Sequence, residues 1–194
     1  MKFQWLNESE ITEKDNRIEI TAPAKSDFFR GNADERTGAA PMIVENAPFY
    51  YTEIDGDFVL KVRVSLEFKD TYDSACVMVM KDMGCWAKVC YELTDFGTRA
   101  AVSVVTKGDS DDANGCNLEG DAAWLKVCRV GNHFTFHYST DGERFYMMRY
   151  FHLPADPVMK VGLLAQAPTG DGGVRIFENL TIEKRTVENI RAGE

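Results

Sequence analysis

The sequence predicts an all-β fold in which two antiparallel sheets pack face to face as a sandwich. Apolar and polar residues alternate with period two along most of the chain. Hairpin-type turn residues, such as Asp55-Gly56, Gly131-Asn132 and Asp141-Gly142, separate these stretches, and helical periodicity is almost absent. Many short strands with frequent turn signals are typical of sandwiches and barrels. A length of 194 residues is ordinary for one such sandwich, so residues 1–194 are expected to form a single domain.

The clearest strand runs from Phe58 to Phe68, where Phe, Leu and Val occupy one face and polar residues the other. Two segments, Gly31–Pro48 and the acidic Gly108–Asp121, are expected to be long loops, and residues 185–194 a short helix or a tail. The other strand candidates, in chain order, are Phe3–Leu6, Arg17–Thr21, Asp27–Arg30, Phe49–Ile54, Ala75–Lys81, Trp86–Leu93, Ala100–Thr106, Ala123–Val130, His133–Ser139, Arg144–Phe151, Met159–Ala165 and Val174–Lys184.

Net charge, the N-terminal segment and the cysteines indicate which partners and which compartment to expect. The formal net charge of −9 predicts repulsion from nucleic acids and from anionic membrane surfaces, so neither is expected as a partner. The N-terminus turns polar at once and shows no signal peptide, which predicts a cytoplasmic protein. In that compartment the five cysteines are expected to be free thiols, with Cys76, Cys90 and Cys128 packed as small apolar groups.

A series of short motifs in a fixed order is similar to that of a known family, the bacterial and fungal domain-of-unknown-function family 1349. The motifs are Ser26-Asp27-Phe28-Phe29, Asn46-Ala47-Pro48-Phe49, Gly56-Asp57-Phe58, Tyr72-Asp73-Ser74-Ala75, Trp86-Ala87-Lys88 with Tyr91-Glu92, Ser103-Val104-Val105-Thr106, Trp124-Leu125-Lys126-Val127, Phe134-Thr135-Phe136-His137-Tyr138-Ser139 with Asp141-Gly142, and Val161-Gly162-Leu163.

The resemblance implies a concanavalin A-like jelly roll with one concave sheet, since that family is grouped with the concanavalin A-like lectins and glucanases. The family also includes a yeast regulation-of-enolase protein, which implies a possible protein partner, but it implies no reaction. Ser110-Asp111-Asp112-Ala113 stands where the family tends to carry Ser-Asp-Trp. Any ligand surface that this tryptophan lines in relatives is therefore in doubt here.

Trp86, Lys88 and Glu92 share one face of a predicted strand. On a concave sheet, the indole could stack on a sugar ring while the two charged groups hydrogen-bond its hydroxyls. The alternative is a partly buried tryptophan beside a lysine and a glutamate that pair across strands.

Three further residues are candidates for the same site. Asp27 and Asp73 lie beside aromatic residues near strand starts and are placed at its rim, although an Asp there more often fixes a turn. His137 is placed on the concave face, with a structural imidazole as the alternative. His133 and His137 cannot share a metal ion, because four residues span about 13 Å along a strand.

No metal and no cofactor are expected. The segment from Ser110 to Asp121 approaches a calcium-loop spacing, but it lacks the first carboxylate and the flanking helices, so a solvated acidic loop is favoured.

The sequence favours a non-catalytic binding or regulatory domain whose concave face recognises a saccharide or another small polar ligand. One alternative is a glycoside hydrolase-like enzyme with Glu92 and Asp73 as its carboxyl pair. Another is a protein-interaction module that regulates a metabolic enzyme. The saccharide hypothesis depends largely on fold analogy.

Overall fold

The computed structural model describes residues 1–194 and contains sixteen strands and no helix. The strands are β1 (Gln4–Leu6), β2 (Ile11–Lys14), β3 (Arg17–Pro23), β4 (Phe28–Gly31), β5 (Met42–Glu45), β6 (Phe49–Asp55), β7 (Phe58–Leu66), β8 (Ser74–Asp82), β9 (Cys85–Leu93), β10 (Arg99–Lys107), β11 (Asp109–Asn117), β12 (Ala122–Val130), β13 (His133–Ser139), β14 (Tyr146–His152), β15 (Val158–Gln166) and β16 (Gly172–Glu183). The structure has no helix of the length and hydropathy needed to cross a membrane.

Fourteen of these strands form two seven-stranded antiparallel sheets. Sheet I has the order β1-β6-β15-β8-β9-β10-β11, and sheet II has the order β14-β13-β12-β7-β16-β3-β2. Strands β4 and β5 pair with each other as a separate two-stranded ribbon, called the ribbon below. The predicted two-sheet antiparallel sandwich of the jelly-roll kind is therefore confirmed.

The core lies between the two sheets and follows from the period-two alternation. In β7, Phe58, Leu60, Val62 and Val64 belong to this core, as do Val89 and other odd-numbered residues of β9. The cluster contains 31 buried residues, which is why the fold needs no disulfide to hold the sheets together. All five cysteines are free.

The outer face of sheet I carries a second buried cluster. The ribbon and the segment after it supply Phe28 and Ala47, which cover side chains of the sheet such as Phe49, Trp86 and Cys90. Phe28 contacts Trp86 edge to face, with ring centroids 5.8 Å apart. This cover explains why β9 is buried on both faces.

The predicted long loops contain strands. Met42–Glu45 forms β5, and the acidic segment forms the edge strand β11, which pairs with β10. Both are largely exposed, so burial imposes no apolar alternation on them, and β11 is held by backbone hydrogen bonds. The sequence did not predict β2 either, because a short strand at a sheet edge shows little alternation. The loop prediction was wrong for most of Gly108–Asp121 and for Met42–Glu45, but residues 32–41 contain no strand, as predicted.

The last ten residues form turns and no helix. They lie against the outer face of sheet II, where Thr135 and His137 contact the backbone carbonyls of Ile190 and Arg191 at 3.0 and 3.1 Å. Val187 packs into a small buried cluster with Val59 and Cys128. The tail is therefore a packed part of the domain.

Candidate functional site

A pocket of about 230 Å³ opens on the outer face of sheet I, and it is called the sheet pocket below. Strands β9, β10 and β11 supply its floor, and the ribbon and two turns supply its walls. It is lined by Asp27, Phe29, Met42, Tyr72, Lys88, Glu92, Val102, Val104, Asp112, Gln166 and Pro168. The structure thus brings Asp27, Lys88 and Glu92, three of the predicted site residues, into one pocket.

Register places these side chains. Lys88, Val104 and Asp112 form one row across β9, β10 and β11. Glu92 lies four residues further along β9, about 13 Å at ~3.3 Å per residue, with Cys90 between them on the same face. The charged groups of β9 therefore lie at two separate positions on the pocket floor.

Lys88 is 3% exposed and has a partner for each of its three N–H donors. Its Nζ donates to Asp27 Oδ1 at 3.0 Å, to the Phe28 carbonyl at 2.8 Å and to Gln166 Oε1 at 3.0 Å. Burial is the largest single effect and opposes its charge, but the acidic groups around it, Asp27 first among them, together outweigh burial and raise the pKa of Lys88. The ammonium therefore ties the ribbon to sheet I and has no donor left for a ligand.

Asp27 is the centre of this hydrogen-bond network. Its Oδ1 accepts bonds from the Phe28 amide at 2.7 Å, from Gln166 Nε2 at 2.6 Å and from Lys88. No protein group donates to its Oδ2. Asp27 therefore fixes the start of β4 and keeps one oxygen available at the pocket.

Glu92 is 7% exposed and lines the pocket, and its carboxyl makes no hydrogen bond with any protein group. Burial raises the pKa of this carboxyl well above its ordinary value, against the opposing effect of the Lys88 ammonium. Burial also raises the pKa of Asp112. The Glu92 oxygens face the open pocket without a protein partner, so they are free to pair with a ligand or with water.

Tyr72 forms part of the rim and is 38% exposed. Its backbone is held at a φ of 71°, a region that a bulky side chain rarely adopts. The Tyr72 amide donates to the Leu93 carbonyl at 2.6 Å, which fixes the turn against the end of β9. The backbone of Tyr72 is therefore held in place at the rim.

Trp86 shares the face of Lys88 and Glu92, but it does not line the pocket. Its side chain is fully buried under Phe28, and its Nε1 donates to the Met83 carbonyl at 3.2 Å. The ribbon, which is distant in sequence, covers the indole, so the ring has no free face for a sugar in this structure.

Asp73 and His137 lie outside the pocket. Asp73 is buried in an ion pair with Arg175 at 2.8 Å, and its other oxygen accepts from the amides of Lys69 and Asp70. His137 lies on the outer face of sheet II beneath the tail, not on the face of sheet I. Its Nδ1 is buried without a partner, and burial lowers its pKa to about 4. The placement of His137 beside Glu92 was wrong because strand alternation does not tell which sheet a strand joins.

The sequence did not single out Tyr72, Asp112 or Gln166 as pocket residues. Gln166 comes from β15, whose neighbours could not be known from sequence, and Asp112 comes from the segment interpreted as a loop. The calcium-like spacing from Ser110 lies along extended β11, where alternate residues share a face but are about 6.6 Å apart in a line, so they do not wrap one ion. No group of three or more His, Cys, Asp or Glu side chains could hold a metal ion.

Comparison with known proteins gives one family and one fold. The family described as "Protein of unknown function (DUF1349)" matches residues 5–185. "Regulation of enolase protein 1" from Saccharomyces cerevisiae is 27% identical over 175 residues, covering 89% of this chain and 84% of the relative.

Three solved structures have a similar fold. The crystal structure of a functionally unknown protein from Saccharomyces cerevisiae has a TM-score of 0.82 and 25% identity, over 93% of this chain and 95% of the other. A mutant of the GH43 protein BlXynB from Bacillus licheniformis has a TM-score of 0.67 and 12% identity, over 93% of this chain but 36% of that one. The carbohydrate binding module CBM66 from Bacillus subtilis has a TM-score of 0.58 and 11% identity, over 93% and 95%.

Proposed function

The chain belongs to the DUF1349 family of proteins of unknown function, and we propose that it is a non-catalytic domain that binds a small polar ligand, a saccharide, in the sheet pocket. The observation that carries this proposal is Glu92, a largely buried residue whose carboxyl faces the pocket without a protein partner. A ligand hydroxyl that donates to this carboxyl gains a hydrogen bond to a charged group, worth about 1.5–3 kcal/mol.

The free hydrogen-bonding capacity of the pocket favours a ligand that donates. Lys88 has no free N–H, whereas Asp27 Oδ2 and the carboxyl of Glu92 have no protein partner. A saccharide offers many hydroxyl donors on a compact ring. Its apolar C–H face suits Tyr72 and the side chains of Val102 and Val104.

The geometry favours binding over glycoside hydrolysis. A retaining enzyme needs two carboxyls about 5–5.5 Å apart. Asp73, the partner that the sequence suggested for Glu92, has its oxygens occupied by Arg175 and two backbone amides. Asp112 is offset from Glu92 by two strands and four residues, roughly 16 Å between the Cα positions from ~4.8 Å and ~3.3 Å spacings.

The carbohydrate binding module CBM66 has a similar fold over nearly the whole of both chains. At 11% identity this likeness concerns the fold alone, but it makes saccharides the first ligand class to test.

A thermal-shift screen against neutral and amine-bearing mono- and oligosaccharides tests the proposal. A ligand at a hundred times its Kd stabilises the folded state by about 2.7 kcal/mol, or about 5–10 °C for a chain of this size. Tyr72→Gly removes the rim aromatic and is compatible with the positive φ, so we expect it to reduce the shift. Phe96→Ala removes an exposed aromatic that does not line the pocket and should leave the shift unchanged. No shift with any saccharide, or an equal shift in Tyr72→Gly, would contradict the proposal.

A regulatory contact with another protein is the second candidate. The curated relative is named for regulation of enolase, and Met42 and Ile43 of the ribbon are 55% and 48% exposed. Mixing the chain with purified enolase and measuring the mass of the eluted species by light scattering tests this candidate. A complex that is lost in the Met42→Ser/Ile43→Ser double variant would favour it, and two separate species would remove it.

A further inference from the structure

The charges around the sheet pocket do not balance. Three carboxyls line it, those of Asp27, Glu92 and Asp112, against the single ammonium of Lys88. That ammonium forms an ion pair with Asp27 at 3.0 Å, so it already has its counter-charge. Arg149, a second cation that acts on Asp112, pairs with Asp111 at 3.1 Å. Glu92 and Asp112 therefore form no ion pair with any protein group.

The surplus of negative charge is one indication of a cationic ligand, and the position of Glu92 is a separate one. Acidic residues that merely face solvent are hydrated, but Glu92 is more than nine-tenths buried, lines the pocket floor and has no hydrogen-bond partner. Burying an unpaired carboxylate is costly unless an opposite charge or a proton neutralises it. Burial accordingly raises the pKa of the Glu92 carboxyl, and a positive charge bound in the pocket would favour its ionised form.

An anionic ligand does not suit this pocket. All three N–H groups of Lys88 are occupied by Asp27, Phe28 and Gln166, so none is left for a phosphate or a carboxylate. Such a ligand would also meet the carboxyls of Glu92 and Asp112 in a partly desolvated space, where like charges repel strongly.

We propose that the sheet pocket selects a saccharide that carries a protonated amine, and that the ammonium group pairs with Glu92 while Asp112 adds to the favourable field. This inference rests on the proposed saccharide-binding function and adds the sign of the ligand's charge. An ammonium supplies three donors and one positive charge, which match an unpartnered carboxylate in both respects. The apolar side chains of Val102, Val104 and Phe29 lie beside the carbon skeleton of such a ligand.

Matched pairs of sugars test the inference by isothermal titration calorimetry. The probes are glucosamine with glucose, galactosamine with galactose, mannosamine with mannose, and chitosan oligomers with their N-acetylated counterparts. We expect the amine member of at least one pair to bind at least tenfold more tightly than its neutral member. Glu92→Gln keeps the shape of the side chain but removes its charge, so it should abolish this preference, and Asp112→Asn should reduce it.

Glu53→Gln is the matched control. Glu53 lies exposed on β6 of the same sheet and does not line the pocket, so we expect it to retain the full preference for amines. A loss of preference in this control would attribute the effect to net charge and would overturn the assignment to Glu92.

The pH dependence gives a second measurement. The titratable groups that face Glu92 are Lys88 and Cys90 on β9, Cys76 on β8, Asp112 on β11, Asp27 before β4, and Tyr72 at the rim. A bound ammonium favours the ionised carboxyl, so binding should release a proton and the affinity should rise as the pH increases through the raised pKa of Glu92. Glu92→Gln should remove this rise.

The outcomes separate the two proposals. If neutral members bind as tightly as amines, or if Glu92→Gln keeps the amine preference, the charge inference is wrong and the saccharide function stands. If no member of any pair binds, both proposals are wrong.

Discussion

At the scale of single residues, Lys88 and Glu92 share one face of β9 but differ in their side-chain hydrogen bonds. Lys88 makes three, and the Glu92 carboxyl makes none. Alternation along the sequence predicted the shared face, because even-numbered residues of one strand must point the same way. It could not predict that Lys88 would be saturated by Asp27, Phe28 and Gln166, since these partners lie 60 to 78 positions away in sequence. The role of Lys88 therefore changes from a ligand contact to a structural tie.

Asp73 was predicted at the rim of a site, and the structure places it in a buried pair with Arg175. The alternative reading, an Asp that bonds local backbone amides and fixes a turn, describes its contacts with the amides of Lys69 and Asp70. That turn also contains Tyr72, so the contacts of Asp73 hold the backbone of a turn at the pocket rim.

Asp73→Asn should destabilise the domain by about 3 kcal/mol, because breaking a buried ion pair leaves a charge without its partner. The amide group would also face the backbone N–H groups of Lys69 and Asp70, donor against donor. Urea denaturation measures the loss. Glu67→Gln removes an exposed carboxylate nearby and should change the free energy of unfolding by less than about 0.5 kcal/mol. Equal stability of Asp73→Asn and the parent chain would show that the pair does not support the fold.

His137 makes a second residue-scale prediction. Burial lowers its pKa from 6.5 to about 4, so the unfolded chain takes up a proton there before the folded chain does. The free energy of unfolding is therefore unaffected by His137 above about pH 6.5. It decreases as the pH falls towards about 4, by up to about 3 kcal/mol.

Denaturant titrations across that pH range measure the effect as the difference between the parent chain and His137→Gln, which cannot take up the proton. His152→Gln changes an exposed histidine on β14 and should keep the parent pH dependence. If His137→Gln loses stability with acid as steeply as the parent, the buried imidazole is not the cause.

At the scale of elements, the strands with a buried face were predicted within a few residues, and the exposed ones were not. β7 and β9 pack against the core, which imposes the alternation that a sequence reveals. β11, with the sequence Asp109–Asn117, is held by backbone pairing to β10 and by contacts from Arg30 and Asn32 of the ribbon side. Backbone pairing of an exposed polar strand leaves little trace in the sequence, so the part of the pocket floor that supplies Asp112 was missed.

The ribbon should detach from sheet I when Lys88 is replaced by methionine. Lys88→Met removes three hydrogen bonds that join β9 to Asp27, Phe28 and Gln166. We expect faster hydrogen exchange at the amides of β4 and β5 and unchanged exchange in β9 and β10, since local opening costs least where few contacts hold a segment.

Lys81→Met is the control, because Lys81 lies on β8 of the same sheet and pairs with Asp156 at 3.3 Å, away from the ribbon. Equal exchange rates of the ribbon in all three proteins would show that the buried ammonium does not anchor it.

At the scale of the whole molecule, the sandwich core and the pocket occupy different faces of sheet I. The core of 31 residues lies between the sheets, while the pocket uses the outer face and the ribbon that covers part of it. The sequence predicted the architecture, because alternation and turns determine it. It predicted only part of the site, because the ribbon, β11 and β15 come together through chain topology.

The most direct measurement of the central claim is a titration of ¹⁵N–¹H correlation spectra with each member of the matched saccharide pairs. If the sheet pocket is a saccharide site, at least one sugar should produce saturable shifts at amides of β9, β10, β11 and the ribbon, and none on the outer face of sheet II. Unchanged spectra with every sugar, or saturable shifts confined to sheet II and the tail, would contradict the account.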